Sequence, residues 1–334
     1  MKRIFFAGKH FGTDGPSEVN KSYVKHLHDR VLHLTMANPL LQFMEIIIKF
    51  IFSRVIIFSG IRNIDHILLP LCRLFHKRIL FIMHGCLEYE NGANHYYNPR
   101  GERNEALMLR DTHQILCVSE PFRRWVVARY PEYVTKTATL TNGINWEMMS
   151  SSANGSQCRD KQRIILIGGG RITKHNIDVC RAVEMLNNMV DKQYHIDVYG
   201  PYYDNDDSNA ISRMPYTTWH GLVSHETLLQ AMQGAALFIQ NSSFEPFSLG
   251  VVEALVCGCN VLLSVNVGAR DVIPGITEKD LITDPTNLKE LAQKIEWVTK
   301  VGNNQRLLSS IDCKATSCET VAEKLYQIAV KMCK

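Results

Sequence analysis

A chain of 334 residues is long for a single hydrophobic core and suits two domains. Hydrophobic residues make up 46% and charged residues 21%, which excludes a disordered or fibrous chain. The net charge of +4 is unevenly placed: residues 1–150 carry 19 Lys/Arg against 13 Asp/Glu, an excess that fits either a solvated face or attraction to an anionic lipid surface, while the absence of a basic–aromatic reader motif excludes nucleic acid.

The start M-K-R-I-F-F-A-G reads as a first strand, Arg3–Phe6, because its apolar run is too short for a signal peptide. A glycine-containing turn follows, with Gly12 and Gly15, and Ser17 is placed to cap a helix whose apolar face is Val19, Tyr23, Val24 and Leu27. From Pro39 to about Ser53 an apolar run carries Gln42, Glu45, Lys49 and Ser53 as a narrow polar stripe at helical spacing. It is too short and too charged to span a membrane. Its apolar side fits a crossover helix buried on a sheet, the more ordinary outcome, or contact with a membrane surface. Strands Val55–Phe58, Ile79–Met83 and Gln114–Val118 end in Ser59-Gly60, His84-Gly85 and Ser119, and strand ends are where open α/β sheets place ligands. Residues 89–103 read as a long polar and aromatic loop, suited either to an acceptor or to a plain surface.

A Ser/Asn/Gly stretch at 150–157 is the clearest break in composition and is read as an interdomain linker. A second series then begins with strand Arg163–Ile167, a glycine-rich turn, helix Asn176–Val190 and strand Tyr194–Tyr199 ending at Gly200. The run Asp204–Asp207 reads as a solvated polar loop; Ser224 caps a helix stopped by Gly234, and strand Ala236–Gln240 leads to S-S-F-E-P-F-S-L-G-V-V-E-A. After strand Val261–Val265, a last helix has Thr316 and Glu319 as a capping box and an apolar stripe of Val321, Leu325, Ile328 and Ala329. The alternation predicts an α/β fold with parallel sheets covered on both faces. Ten cysteines without a C-x-x-C pair argue against a zinc site or a disulfide framework and fit reduced thiols in a cytoplasm.

Two segments carry chemistry. In I-L-I-G-G-G-R-I-T-K, Gly168, Gly169 and Gly170 follow a strand directly, and Arg171 and Lys174 follow the glycines. This is neither G-x-G-x-x-G nor a P-loop. Small residues let the backbone approach an anion and the two cations offer it fixed charge, although glycines can equally serve a tight turn alone. In the second segment Glu245 and Glu253 stand eight residues apart across a helix start. The amides of Phe247, Ser248, Leu249 and Gly250 would face a phosphate there, with a carboxylate on either side for hydroxyl groups. No D-x-D element stands at a strand end, so no metal and no cofactor are expected. Arg171, Lys174 and the helix-start amides would instead meet the negative charge of a diphosphate.

In this order the motifs resemble family 4 of the retaining glycosyltransferases, of GT-B fold and of the bacterial O-antigen, capsule and lipopolysaccharide type. The likeness covers most of the chain and is strongest over residues 164–273. It implies two Rossmann-like, doubly wound parallel-sheet domains with a crevice between them. Residues 1–155 would form the acceptor domain and 156–315 the nucleotide-sugar donor domain, with a C-terminal helix at 316–334 packing back on the first. It implies Gly170, Arg171 and Lys174 at the donor diphosphate, Gly200 at the same crevice, Glu245 near the sugar and Glu253 on the ribose. In the first domain it implies Gly12 and Gly15 as the glycine loop, His84 as a histidine orienting a sugar hydroxyl, and Thr141–Asn145 as the segment before the hinge. Four details depart from the family: Arg171 and Lys174 are one residue closer than usual, Ser248 replaces a common glycine, G-A-R-D at Gly268 replaces G-G-x-x-E, and the glycine loop lacks its typical double glycine.

The function implied is metal-independent transfer, with retention, from a nucleotide-diphosphate sugar to a hydroxyl of a growing lipid-linked surface glycan. A UDP-sugar is slightly favoured over a GDP-sugar. The implied place is the cytoplasm, with peripheral contact at the inner face of the membrane through the basic N-terminal domain. A sugar-nucleotide epimerase or phosphorylase of the same fold and a non-catalytic partner subunit are the alternatives. Retention of Lys174, Glu245 and Glu253 together argues against the last.

Overall fold

The computed structural model describes residues 3–12, 15–147, 159–189 and 193–333. The chain divides into two compact units, one formed by Met1–Asn145 with Cys313–Lys334, the other by Trp146–Asp312. The stretch at 150–157 read as a linker lies outside the described residues.

In the first unit β1 (Ile4–Phe6), β2 (Leu32–His33), β3 (Val55–Ser59), β4 (Arg78–Met83), β5 (Gln114–Cys117) and β6 (Thr137–Thr139) form one parallel sheet in the order β2-β1-β3-β4-β5-β6. Every residue of β3 is buried, as a strand covered on both faces requires, which explains why it reads as a continuous apolar run. The strand order reverses between β1 and β3, and the turns after those strands open at that switch point.

In the second unit β7 (Asp160–Ile167), β8 (His195–Tyr199), β9 (Thr217–Gly221), β10 (Ala235–Gln240), β11 (Asn260–Ser264) and β12 (Leu281–Ile282) form a second parallel sheet, in the order β12-β11-β10-β7-β8-β9. One apolar cluster holds this unit together, with Leu166, Val183, Val198, Ile239, Leu262 and Ile295 at its centre. The switch point here lies between β7 and β10, the two strands that carry the glycine turn and the Glu245 segment.

The last helix, Cys318–Met332, packs on helix Gly15–Leu27 within the first unit. Its cap is Ser317, whose hydroxyl accepts from the Thr320 amide at 3.2 Å, and not Thr316 as expected from sequence. The expected T-N-G-I-N segment is bound to that helix start: Ile144 N donates to Thr316 O and Cys318 N to Ile144 O. A Cβ on Gly143 would lie 2.7 Å from the Cys318 Cα, so only glycine fits there.

Four further expectations are corrected. Ser17 does not cap its helix, which begins at Gly15 and buries Ser17 in its first turn. Residues 89–103 are not a long loop, because helices Leu87–Ala93 and Pro99–Asp111 take up most of them. Glu105 accepts from the Leu87 and Glu88 amides at the first helix start, and the Asn98 side chain caps the second. Asp206 and Asp207 open helix Asp206–Ile211, capped by Asn205.

The fourth concerns helix Pro39–Phe52, which buries Ile46 and Phe50 but leaves most of its apolar side uncovered. Its polar stripe faces inward because the chain beside it needs partners there. Glu45 accepts from the Thr35 and Met36 amides, Gln42 bonds Met36 O and Arg62, and Lys49 reaches His33 O. Leu40, Leu41, Met44, Ile48, Ile51 and Phe52 are consequently exposed. Among the described residues no helix is long and apolar enough to cross a membrane. The described cysteines are free, and burial pushes the thiols of Cys72, Cys86 and Cys117 up to about 12, which leaves them unreactive.

Candidate active site

The glycine turn after β7 is held by the strand beside it. Gly169 N donates to Tyr199 O at 3.0 Å, and Gly168, Gly169 and Gly200 all have positive φ. A Cβ on Gly200 would lie 2.5 Å from Gly169 N, and one on Gly169 would lie 2.1 Å from Pro201 O. Two strand ends therefore touch backbone to backbone, which only glycine allows. A Cβ on Gly170 would meet Ser208 Oγ at 1.9 Å, while Asn205 Nδ2 donates to Gly170 O at 2.9 Å. Asn205 thus supports this turn, while Asp204 and Asp206 beside it are exposed, as a solvated run requires.

Beyond the glycines, Arg171 leads into a short 3-10 turn, Ile172–Lys174, and the stem of Lys174 lies across Gly168. The Lys174 ammonium, nine-tenths buried, donates to the Glu245 carboxylate. Gln240 Nε2 stands 3.5 Å from the same carboxylate. The structure thus pairs Lys174 with Glu245, two residues for which the sequence suggested separate tasks.

Three loops are joined at this edge. Ser243 N donates to Thr173 O at 2.9 Å, tying the Glu245 segment to the glycine turn. Gly268 N donates to Glu245 O and Ala269 N to Phe247 O, tying it to the G-A-R-D turn after β11. Phe247 is buried beneath them. Ser248 takes φ 78° and ψ 90° just before helix Leu249–Val256, and no side chain caps that helix. The Ser248 hydroxyl instead donates to Gln240 Oε1 at 3.3 Å. The first-turn amides, including Leu249 and Gly250, lack intrahelical acceptors by their position. A Cβ on Gly250 would lie 2.9 Å from Ile167, so the helix start sits close on β7.

Glu253 lies one turn into that helix, its carboxylate 3.0 Å from His225 Nε2. Sequence reading passed over His225, which follows the Ser224 cap in a separate helix. Nothing in its local sequence distinguishes it from any solvated first-turn residue.

In the first unit Gly12 and Gly15 lie on the turn after β1 and at the helix start, and a Cβ on Gly15 would meet nothing within 4 Å. The crowded position is Gly8, where a Cβ would meet the Phe6 ring at 2.7 Å and Ser59 Cβ at 2.9 Å. His84, after β4, has its Nε2 2.8 Å from Ser59 Oγ. Ser59 Oγ donates to Asn20 Oδ1 at 2.6 Å, and Asn20 Nδ2 donates to Lys9 O at 2.7 Å. With the amide oriented by Lys9 and the hydroxyl proton spent on Asn20, His84 Nε2 must be the donor.

These two sheets, their strand orders and their helices match solved glycosyltransferase structures over the whole chain. The fold is GT-B. HepE of Anabaena, crystallised with UDP and glucose, superposes with a TM-score of 0.71 at 14% identity, covering 99% of this chain and 100% of that one. Sucrose-phosphate synthase from Thermosynechococcus elongatus does so with a TM-score of 0.70 at 14% identity, over 99% of each chain. A glycosyltransferase from Rickettsia africae gives 0.68 at 14% identity, over 100% and 99%. Residues 154–310, which include every strand of the second sheet, match the family model described as glycosyl transferases group 1. No curated protein matches the chain.

Proposed function

We propose that this protein is a retaining glycosyltransferase that takes a sugar from a nucleotide-diphosphate sugar held by the second unit. The observation that carries this reading is the grouping of Arg171, Lys174, Glu245 and the uncapped start of helix Leu249–Val256 at one switch point of a parallel sheet. The group 1 glycosyl transferase match over 154–310 supports it, as does the UDP or UDP-glucose bound in the HepE structures. Those neighbours favour a UDP-sugar over a GDP-sugar.

As the anomeric bond stretches, charge grows on the β-phosphate. Arg171, Lys174 and the amides near Ser248 to Gly250 meet it, so no metal is required. Glu253 takes the ribose hydroxyls and Glu245 a sugar hydroxyl. His84 orients a donor hydroxyl, and the departing phosphate takes the acceptor proton, as in front-face retention. The acceptor is a hydroxyl of a lipid-linked bacterial surface glycan, used at the cytoplasmic face of the membrane. Slow hydrolysis and thermal stabilisation across a panel of nucleotide sugars, with and without EDTA, test the reading. Stabilisation by one UDP-sugar, unchanged by EDTA, is expected. Failure of every nucleotide sugar overturns the donor site, and strict dependence on Mg²⁺ overturns the metal-free route.

A further inference from the structure

Helix Pro39–Phe52 turns its polar stripe inward: Glu45 and Lys49 pair on the inner side beside buried Ile46 and Phe50, and the outer side is an exposed apolar stripe. The stripe continues beyond the helix. Phe50 packs edge-on against Phe75 at 6.0 Å, and Leu74 and Phe75, at the end of helix Asp65–Leu74, are exposed as well. Patches of this extent on a soluble unit mark an interaction surface.

Cations rim its lower end. Lys77 Nζ lies 5.2 Å over the Phe50 ring and donates to Ile51 O at 3.2 Å. Arg54 and Arg78 are exposed and adjacent, Arg78 N donating to Arg54 O at 2.9 Å. The carboxylates of the two helices do not oppose them. Glu45 is held by Lys49 and Thr35, and Asp65 is buried. Nearby Asp111 is engaged by Arg73 and Arg110.

We propose that this face seats the first unit on an anionic phospholipid surface. An apolar stripe that offers no hydrogen-bonding group enters the acyl boundary, and Arg54, Lys77 and Arg78 meet the headgroups. A helix of 14 residues spans about 21 Å, so it lies in the interface plane and does not cross. The first unit carries 23 Lys/Arg against 14 Asp/Glu, and the second 14 against 19, so the field on this side is cationic. The same charge opposes a second copy of the chain on this face, since two strongly positive units would be brought together. The inference goes beyond the glycosyl-transfer reading, and its test needs neither donor nor acceptor.

The test is flotation of the full chain with phosphatidylcholine vesicles and with vesicles of phosphatidylcholine mixed with phosphatidylglycerol, at low and high salt. Capture by the mixed vesicles alone, weakened by salt, is expected. Arg54→Ser with Arg78→Ser should weaken it about fivefold per cation. Ile48→Asp with Ile51→Asp should abolish it with an unchanged melting profile; Met44→Ser with Phe52→Ser serves the same purpose should the first pair unfold the unit. Equal capture by neutral vesicles, capture surviving the aspartate pair, or no capture by wild type overturns the proposal. So does a lipid-free dimer that the aspartate pair dissolves.

Discussion

Lys174 and Glu245, 71 residues apart in sequence, form an ion pair at the switch point of the second sheet, with side chains only 10% and 16% exposed. Neither residue's local sequence announces the other. The pair neutralises both charges at the candidate site: under the proposed function, Lys174 would exchange this carboxylate for a phosphate.

Removing either partner leaves the other poorly solvated, at a cost on the order of 1–3 kcal/mol. Lys174→Ala and Glu245→Ala should each lower the melting temperature, and the double variant should lose less than the sum. UDP separates the roles. Lys174→Ala should abolish stabilisation by UDP, whereas Glu245→Gln should keep it and lose turnover of the UDP-sugar. Equal UDP stabilisation of wild type and Lys174→Ala would remove Lys174 from the diphosphate.

Glu253 is already held by His225 at 3.0 Å before any ligand arrives. Loss of charged hydrogen bonds to a ribose costs roughly 1.5–3 kcal/mol. Calorimetric titration should show Glu253→Ala binding UDP ten- to a hundredfold more weakly, and His225→Ala several-fold more weakly. An unchanged affinity in Glu253→Ala would place the ribose elsewhere.

Ser248 holds φ 78°, a left-handed conformation that costs a residue with a Cβ about 1–3 kcal/mol. Glycine would relieve that strain and lose roughly 0.5–1 kcal/mol through its freer unfolded chain. Ser248→Gly should therefore stabilise the protein by about 1 kcal/mol, raising the melting temperature by ~2–4 °C. A fall in melting temperature would mean that the bond from Ser248 to Gln240 outweighs the strain.

Burial pushes the Asp65 carboxyl up to about 7, against the pull of the Arg62 amide and guanidinium. A raised acid pKa means that the folded chain keeps a proton which the unfolded chain releases near pH 4. Stability is full below that point and falls by a few kcal/mol as pH rises from about 4 to 7. Asp65→Asn removes the titration, so its denaturant midpoint relative to wild type should rise between pH 4 and pH 8. A constant difference across that range would show that Asp65 titrates normally.

The chain Lys9–Asn20–Ser59–His84 fixes one tautomer of the histidine. Ser59→Ala removes the acceptor that keeps the proton on Nε2. Under the proposed activity, turnover should fall about tenfold with a shifted pH profile, and Ser59→Thr should restore both. A loss in Ser59→Ala with no change of pH profile would make Ser59 structural only.

Much of this molecule was legible in its sequence. Apolar runs such as Val55–Ser59 and Ile164–Ile167 can only be strands covered on both faces, because no other element buries a continuous run so short. The glycines after β7 and the spacing of Glu245 and Glu253 located the candidate site, since positive φ and close backbone approach leave local marks. Ser224 was read correctly as a cap because a cap acts within four residues. What the sequence could not decide was which distant groups would answer one another. The Lys174–Glu245 pair, the His225–Glu253 contact and the support of Gly170 by Asn205 join residues from separate crossovers. Helix Pro39–Phe52 shows the same limit. Its periodicity gave two faces, but only the folded chain, with the Thr35 and Met36 amides and Arg62 to satisfy, determined that the polar face turns inward. Periodicity separates the faces of a helix, and the unsatisfied polar groups beside it choose between them.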